Sequence, residues 1–124
     1  MIDFKNASYF KLKQVDNSKY SSIITPLFTD GESILSSFKS LRDGVVFTNK
    51  RIIAINVQGL TGAKKDITSL PYSKVQSYSV ETAGALDLDS ELELWFSGLG
   101  KVKFEFSKSA NVSEICRIIS EKVL

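Results

Sequence analysis

Between positions 32 and 107 apolar side chains recur at every second residue in short runs, and turn-forming residues interrupt them every eight to twelve positions. A period of two is the spacing of extended chain, with successive side chains on opposite faces of a sheet. The interruptions are too short for a crossover helix, so the pattern predicts antiparallel strands rather than βαβ units. The predicted strands cover residues 32–41, 45–48, 51–57, 65–70, 75–82, 91–96 and 101–107. The breaks at Arg42-Asp43-Gly44, Asn49-Lys50, residues 58–62, Ala83-Gly84 and residues 97–100 each hold a residue tolerant of positive φ, which tight reversals between twisted strands require.

The last hairpin shows the burial logic. Leu92, Leu94 and Phe96 alternate with Glu91, Glu93 and Trp95, while Val102, Phe104 and Phe106 alternate with Lys101, Lys103 and Glu105. Ile53, Ile55 and Val57 likewise share one face of their strand. Facing apolar rows imply two packed sheets, or one sheet bent around itself. After the last strand the period returns to 3.6: Val112, Ile115, Cys116, Ile119 and Val123 form a helical stripe, with Asn111 as N-cap and Glu114 placed to complete a variant capping box. Such a helix covers the open end or corner of the β body.

Residues 1–31 form an irregular N-terminal arm, and residues 32–124 the β-rich domain with its closing helix. Within the arm, Tyr20, Ile23, Ile24, Leu27 and Phe28 follow helical spacing, with Asp16, Asn17 or Ser18 available as cap. Pro26 predicts a short helix that kinks or gives way near Thr25-Pro26. Phe4, Tyr9, Phe10, Leu12 and Val15 suit either an extra strand or a strap onto a neighbouring subunit, and nothing local decides between them.

Composition narrows the function. A chain of 124 residues is one domain that hides roughly two thirds of its unfolded surface. Its 16 basic and 14 acidic side chains leave +2, which lacks the basic excess of a nucleic-acid binder. With no histidine, Ser-His-Asp and Cys-His nucleophile systems and histidine metal ligands are excluded, and the expectation is a protein that is not an enzyme and needs no cofactor. The single Cys116 suits a reducing compartment, and the N-terminus has no secretory pattern, so a cytoplasmic location is expected.

Seven antiparallel strands and one C-terminal helix are the element order of the pleckstrin-homology (PH) superfold. Particular runs strengthen the likeness: RDGVVFTNKRII at residues 42–53, QGLTG at 58–62, Leu70-Pro71-Tyr72, and SVETAGALDLDSEL at 79–92. Together they resemble the short single-domain bacterial PH proteins, over residues 26–124, with the N-terminal sixteen residues fitting less well. The resemblance implies a PH-like barrel in two packed sheets, no established enzymatic activity, and assembly into homo-oligomeric rings. The reading that follows is a non-enzymatic PH-like interaction module that self-assembles and presents a repeated surface to a protein partner. The alternative is a peripheral module that binds anionic lipid or phosphate ligands.

Three sets of residues are candidates for those roles. Lys50, Arg51, Lys64 and Lys65 lie at strand ends and would form a small anion-binding patch if the fold brings their turns together, although lysines there also serve solubility and block edge pairing. Trp95, with Glu91 and Glu93 on the same wet face, is a candidate interface. Asp87, Asp89, Glu91 and Glu93 alternate as calcium ligands do on extended chain, but no EF-hand spacing is present and the strand from Lys101 to Glu105 can answer part of the charge, so no metal site is assigned. PH domains that bind inositol phosphates typically use basic residues near the first hairpin. Here that reversal is Leu41-Arg42-Asp43-Gly44, with Lys39 beside it and an aspartate expected to weaken anion binding.

Overall fold

The computed structural model describes residues 9–84, 89–108 and 110–124, with side chains from position 11 on. The expected mainly β barrel with a C-terminal helix forms. Strands β1 (Tyr9–Val15), β2 (Ile34–Ser40), β3 (Asp43–Thr48), β4 (Arg51–Gln58), β5 (Lys64–Pro71), β6 (Val75–Glu81), β7 (Ser90–Phe96) and β8 (Gly100–Phe106) join in the order β5-β4-β3-β2-β1-β8-β7-β6.

The arm accounts for the difference from seven strands in two sheets. Its residues Tyr9–Val15 form β1, antiparallel to β2 and parallel to β8, so one strand fuses the two halves into a single eight-stranded sheet. The parallel pair departs from the all-antiparallel expectation. It arises because β1 belongs to the arm rather than to the chain of hairpins, and it enters the gap between the first and last strands from outside that sequence. Leu12 anchors it in the core, and a register shift around Lys11, at φ 54°, bends it from one partner to the other.

Two apolar clusters hold the fold. Inside the barrel, Leu12, Phe38, Phe47, Leu92, Leu94, Phe104 and Phe106 pack with Ile115, Ile118 and Ile119 of α2 (Val112–Val123). The rings of Phe38 and Phe106 meet edge-on at 5.0 Å, a favourable quadrupole arrangement. Ile118 belongs to the buried face, while Val112 and Cys116, both placed on the predicted stripe, are only half-buried. The helix is thus rotated slightly from its predicted orientation, because it packs on one side against the turn at Tyr72–Lys74 that links β5 and β6. Its N-cap is the predicted Asn111, whose Oδ1 accepts from the Glu114 backbone N–H at 3.2 Å, but Glu114 does not complete the capping box, because the Asn111 N–H donates to Gln14 Oε1 at 3.4 Å.

The second cluster lies outside the barrel. Ile53 and Ile55 do share a face, but it packs with Val46 beneath Tyr20 and Ile24 of the arm. The arm winds over it as a 3-10 turn (Asn17–Lys19), a single turn of α1 (Ser21–Ile24), and another 3-10 turn (Thr25–Leu27). Asp16 caps the first of these, not α1. Pro26 sits at the start of the last turn, where its missing N–H is no loss, so the helix gives way as predicted. Leu27 points out of the cluster and is 50% exposed.

Candidate functional site

The four cations of the predicted patch do not come together. Lys50 and Arg51 stand at one end of β4, while Lys64 and Lys65 pair with its other end at Gln58 and Val57. Seven residues of extended chain separate those ends by about 23 Å. Three of the four are also committed to other groups, Lys65 Nζ donating to the Gly62 carbonyl at 3.1 Å. Arg51 makes a two-pronged ion pair with Glu32, Nε to Oε2 at 2.9 Å and Nη2 to Oε1 at 3.0 Å, and donates to Ser69 and to the Leu27 carbonyl. Lys50 Nζ donates to Thr29 Oγ1 and the Asp30 carbonyl. The patch is corrected to a tie that pins the arm onto the β3–β4 turn. The Glu32 side chain is only 1% exposed; burial pushes its carboxyl up, and hydrogen bonds from Arg51, Thr48 and the Thr29 N–H outweigh that, leaving it below its ordinary value.

A different set of cations does converge. At the far end of the sheet, the β2–β3 turn and the β4–β5 loop stand beside the arm, and between them lies an open cleft of about 430 Å³. It is lined by Lys19, Lys39, Arg42 and Tyr20, with Leu41, Val57 and Leu60 along its rim. Lys39 lies directly across from Lys13 of β1 in register, two like charges on neighbouring strands. Among the described residues, Lys13, Lys19 and Lys39 make no ion pair. Asp43, expected to weaken this region for anions, keeps its charge beside the cleft: its Oδ1 accepts from the Val57 N–H at 3.0 Å and from Asn56 Nδ2 at 3.3 Å.

The cleft's geometry depends on the arm. Tyr20 packs over Gly44, and its hydroxyl donates to the Asp43 carbonyl at 3.3 Å. Burial, and secondly the Asp43 charge, push the Tyr20 phenol up, so the ring stays neutral. Asp16 accepts from the Ser18 N–H at 2.8 Å and thereby sets the 3-10 turn that carries Lys19 to the rim. Arg42 Nη2 donates to the Gly59 carbonyl and ties the two loops to each other. Sequence reading missed Lys19 because it lies twenty residues from Lys39, and no periodicity reports which turn an arm will cross.

The other candidates fall on the outer face of β6, β7 and β8. Glu91 pairs with Lys103 at 3.2 Å and Glu93 with Lys101 at 3.9 Å, so these two of the alternating acids are answered across the hairpin. Asp87 lies outside the described residues. Glu105, opposite Glu91, has its carboxyl pushed up by burial and by its acidic neighbours Asp89 and Glu91. Trp95 is 47% exposed and stands between Ser77 of β6 and Lys101 of β8. A further groove of about 530 Å³ runs between β6 and α2, lined by Val80, Thr82, Val112, Cys116 and Arg117 among others. Among the described residues no group of three or more acids or cysteines is arranged to hold a metal ion, and no helix is long and apolar enough to cross a membrane.

Comparison with known proteins agrees with this architecture. A family model described as "Bacterial PH domain" matches residues 3–123. The uncharacterized Bacillus subtilis protein YjqA is 42% identical over 96 residues, spanning 76% of this chain and 77% of its own length. Among solved structures, a protein with a pleckstrin-homology domain from Shewanella loihica superposes with a TM-score of 0.81 at 35% identity, covering 93% of this chain and 99% of that one. A pleckstrin homology domain from Shewanella amazonensis gives 0.67 at 38% identity, covering 96% and 93%.

Proposed function

Because the chain belongs to the bacterial PH domain family, we propose that it acts as a non-enzymatic interaction module whose cleft between the β2–β3 and β4–β5 loops takes an anionic ligand. The observation that carries this reading is the convergence of Lys19, Lys39 and Arg42 on one open cleft, with Lys13 across from Lys39. Like charges held as neighbours cost free energy that an anion bridging them relieves. A ligand with two or more phosphate groups fits the spread of the cations better than a single carboxylate. The test is calorimetric titration with inorganic tripolyphosphate at low ionic strength. Binding that weakens with added salt and is lost in Lys39→Ala/Arg42→Ala, but persists in Lys50→Ala, supports the cleft. Absence of binding by the unaltered chain at low salt overturns it.

A second reading, self-assembly into a homo-oligomer such as a ring, is supported by the contrast between the two ends of the sheet. The β5 end carries Lys64, Lys65 and Pro71, residues that discourage strand addition. The β6 end, Val75–Glu81, has no lysine or proline, and Trp95 stands one strand in from it. An unprotected edge beside an exposed aromatic suits docking of a second copy. Light scattering at micromolar concentration measures the mass directly, and a single 13.8 kDa species counts this reading out.

A further inference from the structure

We infer that Thr61 in the β4–β5 loop is a phosphorylation site, and that a phosphoryl group on it acts as an internal ligand that occupies the cleft and closes it to outside anions. This rests on the anion-binding reading and adds the regulation of that same site. Thr61 is exposed and lines the cleft with Lys19, Lys39 and Arg42. Exposed threonines are common on any protein surface. The loop around this one sets it apart. On one side Arg42 Nη2 donates to the Gly59 carbonyl, and a methyl group placed on Gly62 would lie 3.4 Å from the same nitrogen. On the other side Lys65 Nζ donates to the Gly62 carbonyl at 3.1 Å. Thr61 is thus bracketed by a guanidinium and an ammonium.

Neither cation has an acid to pair with. Residues 58–65 contain no aspartate or glutamate, and among the described residues Arg42 and Lys65 make hydrogen bonds only to backbone carbonyls. Thr61 Oγ1 accepts from the Ala63 N–H at 3.3 Å, which turns the side chain over a further donor. A phosphate there carries nearly two negative charges and three acceptor oxygens. Arg42 and Lys65 can supply charge-assisted hydrogen bonds to it, with Lys19 and Lys39 across the cleft, four cations against the one carboxylate of Asp43. Gly59 at φ 77° and Gly62 at φ 70° let the loop turn sharply, so that Leu60 and Thr61 stand at an exposed tip within reach of a modifying enzyme. In the modification the Thr61 hydroxyl oxygen attacks the γ-phosphorus of a nucleoside triphosphate held by a protein kinase. The new O–P bond forms as the bond to the β-phosphate oxygen breaks, the hydroxyl proton passes to a base of the kinase, and the nucleoside diphosphate leaves.

The experiment places phosphothreonine at position 61 by encoded incorporation and compares that chain with the unmodified one, by tripolyphosphate titration and by urea unfolding. Phosphothreonine in place of Thr82, beyond the end of β6, controls for added charge. Phosphate on Thr61 is expected to weaken tripolyphosphate binding by about tenfold or more, and phosphate on Thr82 to leave it within about twofold. Phosphate on Thr61 is also expected to raise the urea midpoint, a gain that disappears in Arg42→Ala/Lys65→Ala when that variant is compared with and without the phosphate. Equal tripolyphosphate affinity in the phosphorylated and unmodified chains overturns the internal ligand and leaves the cleft standing. An equal loss from Thr61 and Thr82 overturns it too, since net charge then accounts for the effect. If the unmodified chain binds no tripolyphosphate, the anion-binding reading falls, and a urea midpoint not raised by phosphate on Thr61 then removes the internal ligand as well. Peptide mass spectrometry of the chain recovered from the cells that make it is expected to find phosphate on Thr61, and its absence there overturns the assignment.

Discussion

Tyr20 and Gly44 are in such close apposition that a methyl group at position 44 would lie 2.7 Å from the tyrosine Oη and 2.8 Å from Cε2. The arm and the β2–β3 hairpin, separated by more than twenty residues of sequence, are therefore fitted to each other at one point. The absence of a side chain at 44 creates the floor on which the ring rests, and the ring in turn sets where Lys19 reaches the cleft.

Gly44→Ala is expected to destabilise the chain by about 1–3 kcal/mol, the usual range for overpacking. In a Tyr20→Ala background most of that cost should vanish, since the methyl then has room. Urea unfolding of the two single variants and the double variant measures the coupling. Additive effects would show that the contact is slack.

Loss of the Glu32–Arg51 tie should loosen the junction between the arm and the β3–β4 turn, where Lys50 and Asn49 still hold the arm. Glu32→Gln is expected to cost on the order of 2–3 kcal/mol, below the range for fully buried pairs because Arg51 still reaches solvent. The pH dependence has a definite sign. The Glu32 carboxyl is held below its ordinary value in the folded chain, so its contribution is complete above the unfolded carboxylate pKa and disappears as pH falls through the folded value. Urea midpoints measured from neutral to acid pH should therefore fall less steeply in Glu32→Gln than in the parent.

Ser37 presents the opposite case. Among the described residues its Oγ is buried without a hydrogen-bond partner, on β2 opposite Val15 and Val46. Ser37→Ala removes a hydroxyl that was desolvated without compensation, and is expected to be neutral or to stabilise by up to about 1 kcal/mol. A clear loss of stability in urea unfolding would show that the hydroxyl is satisfied after all.

The cap of α2 sets how firmly the barrel is closed. Asn111→Ala should cost about 1 kcal/mol by freeing the Glu114 N–H. Ile119→Ala should cost about 2–5 kcal/mol, because it opens a cavity in the main core. Thermal unfolding ranks the two, and a cap variant as damaging as the core variant would mean the helix is held mainly by its first turn.

Self-assembly through the β6 end predicts that Ser77→Lys/Ser79→Lys, on the outer row beside Trp95, lowers the solution mass without unfolding the chain, as edge lysines do elsewhere. Light scattering of the variant against the parent reads this directly. An assembly that keeps its mass uses another surface.

The strands from β2 to β8 and the closing helix were legible because each is announced by its own side-chain period: Leu92, Leu94 and Phe96 at spacing two, Ile115 and Ile119 at spacing four. Helix capping at Asn111 and the break at Pro26 were legible for the same reason, since both act through the nearest turn of backbone. The arm was not. Among the described side chains of β1 only Leu12 reaches the main core, too little pattern to choose between strand and strap, and the choice was settled by the gap between β2 and β8 that β1 fills. The basic patch was misplaced because adjacency in sequence says nothing about which end of a strand a turn occupies.

From its residue order alone this chain is committed to antiparallel hairpins, an amphipathic terminal helix and a family likeness, because hydrophobic periodicity and turn chemistry operate within a few residues. Tertiary structure decided which cations share a cleft, which are bound up in the Arg51–Glu32 tie, and which leucines face water. Those are properties of distance and burial between segments far apart in the chain, and they exist only once Tyr20 has settled on Gly44 and the loops at Arg42 and Gly59 have met.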